Sequence, residues 1–253
     1  MNYIRQDHPR SESLRIRKKL AEGFKKGLVT PEGLSAHGRG EAFDYILGEK
    51  TTKQAKKAIK AGVAEILLAD KPVFSVNGNV AALVPEEIAK INKEMDVQVE
   101  VNLFHKSKDR KRKIEKYLKK KGVEEVLGTE IKYHSEIPEI RSQRRKVDER
   151  GIKSADTVII PLEDGDRTEA LKKLGKKTVT IDLNPLSRTA NAADITIVDN
   201  IVRALPLLIE ETSELSQATS KKLEKISTDF HNKQNLHLTV RNMLDRLKKL
   251  SKN

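Results

Sequence analysis

Hydrophobic residues in the middle of the chain follow two kinds of spacing. Short apolar runs bounded by polar residues predict β-strands, at 71–76, 97–104, 157–161, 178–183 and 195–198. Apolar residues repeated every three or four positions predict helices between these strands, at 85–95, 107–121 and 167–174. Strands separated by helices of this length are typical of right-handed βαβ crossovers. The pattern therefore predicts an α/β core with a largely parallel sheet flanked by helices.

The first part of the chain combines helices with a glycine-rich segment. A helix is predicted at 11–27, and its apolar side is formed by Leu14, Leu20 and Phe24. Three glycines follow within eight residues, at Gly33, Gly38 and Gly40. They predict a loop that leads into a short helix, and a longer helix is predicted at 51–69.

The last part of the chain is helical by pattern. Helices are predicted at 201–209 and 215–250, and the second has an apolar stripe formed by Leu236, Val240, Met243, Leu244, Leu247 and Leu250. Such a stripe must be covered by the domain itself or by a second subunit. We interpret residues 1–253 as a single α/β domain. It comprises an N-terminal helical and glycine-loop region at 1–50, the core at 51–200 and C-terminal helices at 201–253 that form a possible dimer contact.

Composition narrows the choice of chemistry. The chain has no cysteine, which excludes disulfides, thiolate nucleophiles and cysteine-based metal sites. Its apolar runs are too short for a membrane span and the N-terminal residues lack a signal peptide, so we expect a cytoplasmic protein without membrane contact. The net charge is +13, and the segment 105–121 supplies much of it with ten basic and two acidic residues. This balance raises the possibility of a nucleic-acid partner.

Familiar catalytic and phosphate-binding motifs do not account for the sequence. Gly38 and Gly40 are not followed by the third glycine of a dinucleotide fingerprint, because Phe43 takes that position, and the chain has no Walker loop, paired-histidine zinc motif or nucleophile elbow. Polar residues instead follow the strand 178–183, at Asp182, Asn184, Ser187 and Arg188. A parallel sheet binds ligands beyond the carboxyl ends of its strands, so this loop could hold ribose, phosphate oxygens and Mg²⁺. Helix caps and an Asn-Pro turn are an equally good explanation.

Four more groups lie at predicted strand ends or loops. Asp199 and Asn200 follow the next strand, and Asn77 and Asn79 flank a glycine that permits close approach of a ligand or forms a simple turn. His37 and Arg39 lie in the glycine segment, where a helix N-terminus would favour an anion, although exposed charges on a turn explain them as well. Lys106 and Arg110 lie nearest the strand 97–104 among many solvated cations. The set suits phosphorylated substrates and nucleotide-dependent group transfer, in which catalysis is mainly positioning and charge stabilisation.

Several of these stretches resemble one enzyme family. They are His37-Gly-Arg-Gly-Glu-Ala, Asn77-Gly-Asn-Val-Ala-Ala-Leu, Asp182-Leu-Asn-Pro-Leu-Ser-Arg-Thr-Ala and Ile197-Val-Asp-Asn-Ile-Val-Arg-Ala. Across 17–212 the chain is similar to the archaeal phosphopantothenate synthetases, which are 4-phosphopantoate–β-alanine ligases of coenzyme A biosynthesis. The resemblance implies a Rossmann-like fold and a homodimer. It also implies that ATP, 4-phosphopantoate and β-alanine are converted to 4′-phosphopantothenate, AMP and diphosphate.

The resemblance also implies roles for particular residues. ATP would be held by Arg17, Arg39, Asp182, Leu183, Asn184, Ser187, Arg188, Asp199 and Asn200. Arg39 and His37 are the candidate catalytic residues, and Mg²⁺ would assist the arginines in stabilising charge on the phosphates. For the other substrate, the physical interpretation of the strand ends offers Asn77, Asn79, Lys106 and Arg110.

Two other classes of function remain open at this point. A nucleic-acid-binding protein fits the basic segment, but only 4% of residues are aromatic, so stacking platforms are scarce. A different ATP-dependent ligase or a kinase on the same scaffold would need the same nucleotide-positioning residues. The identity of the nucleotide product, AMP or ADP, separates that class from the ligase.

Overall fold

The computed structural model describes residues 7–8, 10–104 and 107–252. The helices in these ranges are α1 Ser11–Lys25, α2 Pro31–Leu47, α3 Lys53–Leu68, α4 Gly78–Leu83, α5 Pro85–Glu94, α6 Lys108–Lys120, α7 Gly165–Lys173, α8 Arg188–Ala192, α9 Ile201–Leu215, α10 Ser220–Thr228 and α11 Asn232–Leu250. The strands are β1 Pro72–Val76, β2 Gln98–Val101, β3 Val126–Leu127, β4 His134–Glu136, β5 Lys146–Asp148, β6 Thr157–Ile159, β7 Lys177–Ile181 and β8 Ile195–Ile197. Two single 3₁₀ turns lie at Ile131–Tyr133 and Gln143–Arg145.

Six strands form one parallel sheet in the order β3-β2-β1-β6-β7-β8. The chain builds one half outward from β1 and then returns to build the other half from β6, so the strand order reverses between β1 and β6. This is the arrangement of a doubly wound, Rossmann-like sheet. The predicted α/β fold with a largely parallel sheet is therefore confirmed.

Both faces of the sheet are covered, which explains why its strands are almost continuously apolar. In β1, Phe74 and Val76 belong to the larger core, whereas Val73 faces a second core that contains Val158 of β6 and Leu171 of α7. The alternation follows from the period of two in a strand. The antiparallel pair β4–β5 and the turns beside it close the second core.

The glycine segment is helical, which corrects the predicted loop. Gly33, Gly38 and Gly40 all lie inside α2, which begins after Thr30 and runs without a break to Leu47. The hydroxyl of Thr30 accepts a hydrogen bond from the main-chain N–H of Gly33 at 3.3 Å and so caps the helix. His37 and Arg39 therefore do not lie at a helix N-terminus, and the predicted anion site of that kind is wrong.

Other differences lie at helix faces and boundaries. In α1 the buried apolar residues are Ile16 and Leu20, whereas Phe24 is 46% exposed. The predicted helix 215–250 is divided into α10 and α11, and the short helices α4 and α8 and the pair β4–β5 have no counterpart in the sequence prediction. Across the part of the chain that the structure describes, no helix is long and apolar enough to cross a membrane.

Candidate active site

A cleft of about 700 Å³ opens at the carboxyl edge of the sheet. Residues from five strand ends line it, namely Asn77 after β1, Leu103 after β2, Glu163 and Asp164 after β6, Asp182, Leu183 and Asn184 after β7, and Asn200 after β8. The cleft therefore spans the point between β1 and β6 where the strand order reverses. Open α/β sheets bind ligands at this position.

Helix α2 forms another wall of the cleft. Its lining residues recur at helical spacing along one face and include His37, Arg39 and Phe43. The side chain of Arg39 is exposed, and its positive charge acts to lower the pKa of Asp182. Burial has the larger, opposite effect and raises that pKa. The structure thus brings the α2 candidates and the loop after β7 to one cleft.

The loop after β7 is held in shape by its own polar side chains. Oδ2 of Asp182 accepts a hydrogen bond from the hydroxyl of Ser187 at 2.5 Å, and Oδ1 accepts one from the main-chain N–H of Asn184 at 2.9 Å. The Ser187 hydroxyl also caps α8 by accepting from the N–H of Ala190. The capping alternative considered from the sequence is realised here, and the same loop lines the cleft.

Arg188 lies at the rim of this loop. Its side chain is 69% exposed and pairs with Glu169 of α7 at 3.1 Å. An exposed pair of this kind contributes little to stability, so the guanidinium can exchange its partner for a ligand at small cost. Its contact with ATP stays a prediction.

The two polar residues after β8 have different surroundings. Asn200 lines the cleft and donates to Oδ2 of Asp44 in α2 at 2.9 Å. Asp199 does not line the cleft. Its Oδ1 pairs with Arg203 at 2.8 Å and its Oδ2 accepts from the hydroxyl of Thr51 at 2.6 Å. Burial raises the pKa of Asp199, while the charge of Arg203 opposes this increase. In this arrangement Asp199 anchors structure, and its contact with ATP stays a prediction.

Arg17 also lies away from the cleft lining. Its guanidinium donates to both carboxylate oxygens of Glu41 at 3.0 Å, and Tyr45 is close enough to accept as well. This hydrogen bonding raises the pKa of Arg17 and lowers that of Glu41. The structure therefore does not bring Arg17 together with the other predicted ATP ligands, and its role stays a prediction.

His37 reaches the cleft as a neutral side chain. Burial lowers the pKa of its imidazole below the usual 6.5, so the ring is uncharged at neutral pH. Its Nε2 atom is buried, and no residue in the described ranges forms a hydrogen bond with it. A neutral imidazole can orient a ligand through a hydrogen bond but does not add positive charge beside a phosphate.

The predicted substrate residues lie around the β1 end. The amide of Asn77 donates to the carbonyl oxygens of Pro161 and Leu162 at 3.2 Å, which ties β1 to β6, and its oxygen caps α4. Asn79 donates to the carbonyl oxygen of Gly33 at 2.8 Å. Both amides support the walls of the cleft, and their contact with substrate stays a prediction.

The other predicted features of this region divide between close packing and charge. Gly78 permits close packing against protein rather than ligand, since a Cβ there would overlap the carbonyl oxygen of Leu28. Arg110 lines the cleft, and its pKa is lowered by burial. Lys106 lies outside the described residues.

The sequence analysis missed the most buried charges of the site. Arg144 lines the cleft beside Glu163 and Asp164, and it pairs with Glu163 at 2.6 Å. The only local signal was a cluster of arginines, Arg141, Arg144 and Arg145, in a polar stretch without clear periodicity. Nothing in that stretch indicated which arginine would turn inward.

The described ranges contain no group of three or more His, Cys, Asp or Glu side chains that could hold a metal ion. The cleft is instead lined by arginines, amides and helix-capping hydroxyls. Arginine is suited to bidentate contact with phosphate or carboxylate. Fold and site together define a doubly wound α/β protein with a cleft for an anionic small molecule.

Comparison with known proteins narrows this class. The family model described as phosphopantothenate/pantothenate synthetase matches residues 54–246. The chain is 49% identical over 249 residues to a 4-phosphopantoate–beta-alanine ligase of Thermococcus kodakarensis, covering 98% of this chain and 95% of the relative. It is 45% identical over 251 residues to one of Methanosarcina mazei, covering 99% and 98%. The chain belongs to the phosphopantothenate/pantothenate synthetase family, and the family expected from the sequence motifs is confirmed.

Proposed function

We propose that this protein joins 4-phosphopantoate to β-alanine with the consumption of ATP, giving 4′-phosphopantothenate, AMP and diphosphate. It is then a ligase that forms a carbon–nitrogen bond in coenzyme A biosynthesis. The observation that best supports this function is the cleft itself. It joins the loop after β7, which resembles the family's ATP motif, to an arginine-lined region at the ends of β1, β2 and β6.

The chemistry proceeds in two steps without a covalent enzyme intermediate. The carboxylate of 4-phosphopantoate attacks the α-phosphorus of ATP, which expels diphosphate and forms an acyl adenylate. The amine of β-alanine then attacks the acyl carbon, loses a proton and expels AMP. The chain has no cysteine, and this sequence of steps needs none.

The residues of the β7–β8 half would position ATP. The Asp182 loop is fixed by internal hydrogen bonds, so it can present Asn184 and Arg188 without reorganisation. Arg39 projects from α2 on the same side and would stabilise negative charge that develops on the phosphates. The neutral imidazole of His37 would orient a polar group in the same cleft.

Mg²⁺ fits this site as an ion that accompanies ATP. The described ranges offer no three-residue metal cluster, so the protein would supply few ligands, with Asp182 and Asn184 as the oxygen-bearing side chains of the loop. Mg²⁺ commonly keeps water and substrate phosphates as most of its ligands. When bound, it would neutralise phosphate charge.

The nucleic-acid alternative is not favoured by the family membership. Much of the positive charge that suggested it lies on α6, where Asp109 and Lys113, and Glu115 and Lys119, form ion pairs within the helix. A charged helix face that solvates the protein explains this segment.

We further propose that the protein is a cytoplasmic homodimer. Leu244, Leu247 and Leu250 of α11 are each about half exposed, at 45–55%, although they continue the apolar stripe that is buried at Leu236 and Met243. A second copy would cover this end of the helix. Light scattering coupled to size-exclusion chromatography tests this proposal, and a strictly monomeric mass at micromolar concentration contradicts it.

An end-point assay tests the proposed reaction. Purified protein is incubated with ATP, Mg²⁺, 4-phosphopantoate and β-alanine, and AMP and phosphopantothenate are followed together by mass spectrometry while each substrate is omitted in turn. Formation of both products only in the complete mixture supports the proposal. ADP in place of AMP would keep the ligase but replace the adenylate with an acyl phosphate, and absence of product from folded protein would reject the function.

A further inference from the structure

Arg144 occupies an unusual position for a charged residue. It lies in the 3₁₀ turn Gln143–Arg145 before β5, is only 6% exposed and yet lines the cleft. Its main chain is fixed by Asn102, a buried residue just after β2, whose amide donates to the carbonyl oxygens of Arg144 at 3.3 Å and Lys146 at 3.1 Å. The turn is thereby attached to the end of β2.

The guanidinium of Arg144 is held from the other side by residues that follow β6. Its Nη1 pairs with Oε2 of Glu163 at 2.6 Å, and its Nε lies 3.3 Å from Oδ2 of Asp164. Glu163 is also paired with Arg167 of α7, which donates to the hydroxyl of Ser75 in β1 at 3.1 Å. Three adjacent strands and α7 therefore fix the position of this one guanidinium.

The buried charges in this cluster do not balance. Two guanidiniums, those of Arg144 and Arg167, surround the one carboxylate of Glu163, whose side chain is 1% exposed. In the described ranges, Nε and Nη2 of Arg167 have no hydrogen-bond acceptor although they are buried. Asp164 is more exposed at 41%, and burial still raises its pKa, which weakens it as a counter-charge. An excess of buried positive charge is costly unless an anion completes the site.

A second arginine adds to the excess. Arg110 of α6 lines the same part of the cleft and is close enough to Arg144 for each charge to affect its surroundings, since the charge of Arg144 lowers the pKa of Arg110. Burial lowers the pKa of both groups. Desolvated guanidiniums that converge on one cavity bind phosphate more strongly than solvated ones.

The arrangement of the substrates determines which anion belongs here. This inference rests on the proposed function, in which the carboxylate of 4-phosphopantoate must reach the α-phosphorus of ATP near the β7–β8 loop. The phosphate of 4-phosphopantoate lies at the opposite end of that molecule. It therefore points toward the β1, β2 and β6 ends, where Arg144 and Arg110 line the cleft.

We propose that Arg144, with Arg110 beside it, binds the phosphate group of 4-phosphopantoate and makes the enzyme select the phosphorylated acid over pantoate. Glu163 and Asn102 hold Arg144 in place. The site discriminates because pantoate would leave the buried positive charge without a partner.

The test replaces Arg144 with Gln and measures steady-state kinetics with each substrate varied. Glu163 keeps its pair with Arg167 in Arg144→Gln, so the buried charges of that pair stay balanced. We expect kcat/KM for 4-phosphopantoate to fall about 10²-fold, while KM for ATP and β-alanine changes less than about threefold. With pantoate, activity relative to wild type should be unchanged, so the preference for the phosphorylated acid falls by the same factor.

Arg145→Gln is the matched control. Arg145 lies in the same turn, is 43% exposed and pairs only loosely with Glu136 at 3.7 Å. This variant should keep wild-type kinetics. If Arg144→Gln does not fold, as judged by circular dichroism and thermal unfolding, Arg144→Lys keeps the charge without the planar fork and should show a smaller loss confined to 4-phosphopantoate.

Three outcomes overturn the proposal. One is unchanged selectivity for 4-phosphopantoate over pantoate in the folded variants. Another is a loss confined to KM for ATP, which would mean that the anion bound by Arg144 is an ATP phosphate. A third is an equal loss in Arg145→Gln. Failure of the proposed function is recognised separately, because wild-type protein would then make no phosphopantothenate from the complete mixture.

Discussion

The side-chain amide of Asn200 donates a hydrogen bond to Oδ2 of Asp44 at 2.9 Å, and this contact joins the end of β8 to α2. Arg203 pairs with the other oxygen of Asp44 at 2.5 Å and with Asp199 at 2.8 Å. Asn200, Asp44 and Asp199 are all buried. Helix α2 carries Arg39 and His37, so the residues after β8 set the distance between these side chains and the sheet.

Replacement of Asn200 by Ala should destabilise the protein and reduce its activity. The variant loses the bond to Asp44 and the cap that its oxygen gives to the N–H of Val202. We expect the free energy of unfolding to fall by about 1–3 kcal/mol, since a buried acceptor is left without one of its donors. Urea unfolding measures this change. Asn242→Ala, which removes an exposed amide bond to Gln54, is the control and should change the value by less than about 0.5 kcal/mol.

Two glycine-to-alanine variants should have opposite effects. A Cβ at Gly78 would overlap the carbonyl oxygen of Leu28, so Gly78→Ala should destabilise by about 1–3 kcal/mol. Gly38 lies within α2 with no atom inside 4 Å of a built Cβ, so Gly38→Ala should stabilise by up to about 1 kcal/mol through helix propensity. Thermal unfolding of the two variants decides the matter. A stable Gly78→Ala protein would show that α4 can move away from Leu28.

Local patterns explain which parts of the fold could be predicted. Strands such as β1 and β7 are buried over most of their length, so their apolar runs are visible in the sequence. Parallel strands end at one edge of the sheet, and this rule alone placed Asp182, Asn184 and Asn200 near one another. The glycines of α2 were misinterpreted because the Thr30 cap and the packing of α2 on Asn79 outweigh the low helix propensity of glycine.

The missed part of the site depends on contacts between distant segments. Arg144 is selected over Arg145 by Glu163, which lies 19 residues later in the chain, and by Asn102, which lies 42 residues earlier. No periodicity of the segment around Arg144 encodes those partners. Asp199 was predicted to contact ATP on the strength of its motif, but Thr51 and Arg203 already satisfy its carboxylate.

Glu100 should make stability depend on pH. Its carboxyl is fully buried in β2 and accepts main-chain hydrogen bonds from Asp148 and Ile152, and burial raises its pKa to about 7 from an ordinary 4.5. The folded state therefore binds the proton more tightly than the unfolded state. The resulting stabilisation is complete below about pH 4.5 and is lost as the pH rises through about 7, by at most about 3 kcal/mol.

Urea unfolding of wild type and Glu100→Gln between pH 5 and 8 measures this linkage. The variant cannot titrate at this position, so its stability relative to wild type should improve steadily as the pH rises. Its loss of one carboxylate acceptor is a constant offset and does not change the slope. All other titrating groups are present in both proteins and cancel. Parallel stability curves would show that Glu100 does not change its charge in this range.

Arg39 should be the most sensitive of the predicted ATP residues. Its exposed guanidinium lies on the wall of the cleft that faces the Asp182 loop, and no other predicted arginine combines exposure with a charge effect on Asp182. If it stabilises charge that develops on the ATP phosphates, Arg39→Ala should reduce kcat/KM by about 10²-fold or more, with a smaller loss in Arg39→Lys. The rate of AMP formation measures this effect, and Arg15→Ala, an exposed change on α1, is the control. Because neither Arg39 nor Arg15 is buried, both variants should unfold at the wild-type temperature, so a loss of turnover reports on the reaction rather than on folding. Turnover of Arg39→Ala within about twofold of wild type would remove Arg39 from the mechanism and leave Arg188 as the exposed arginine of the ATP half.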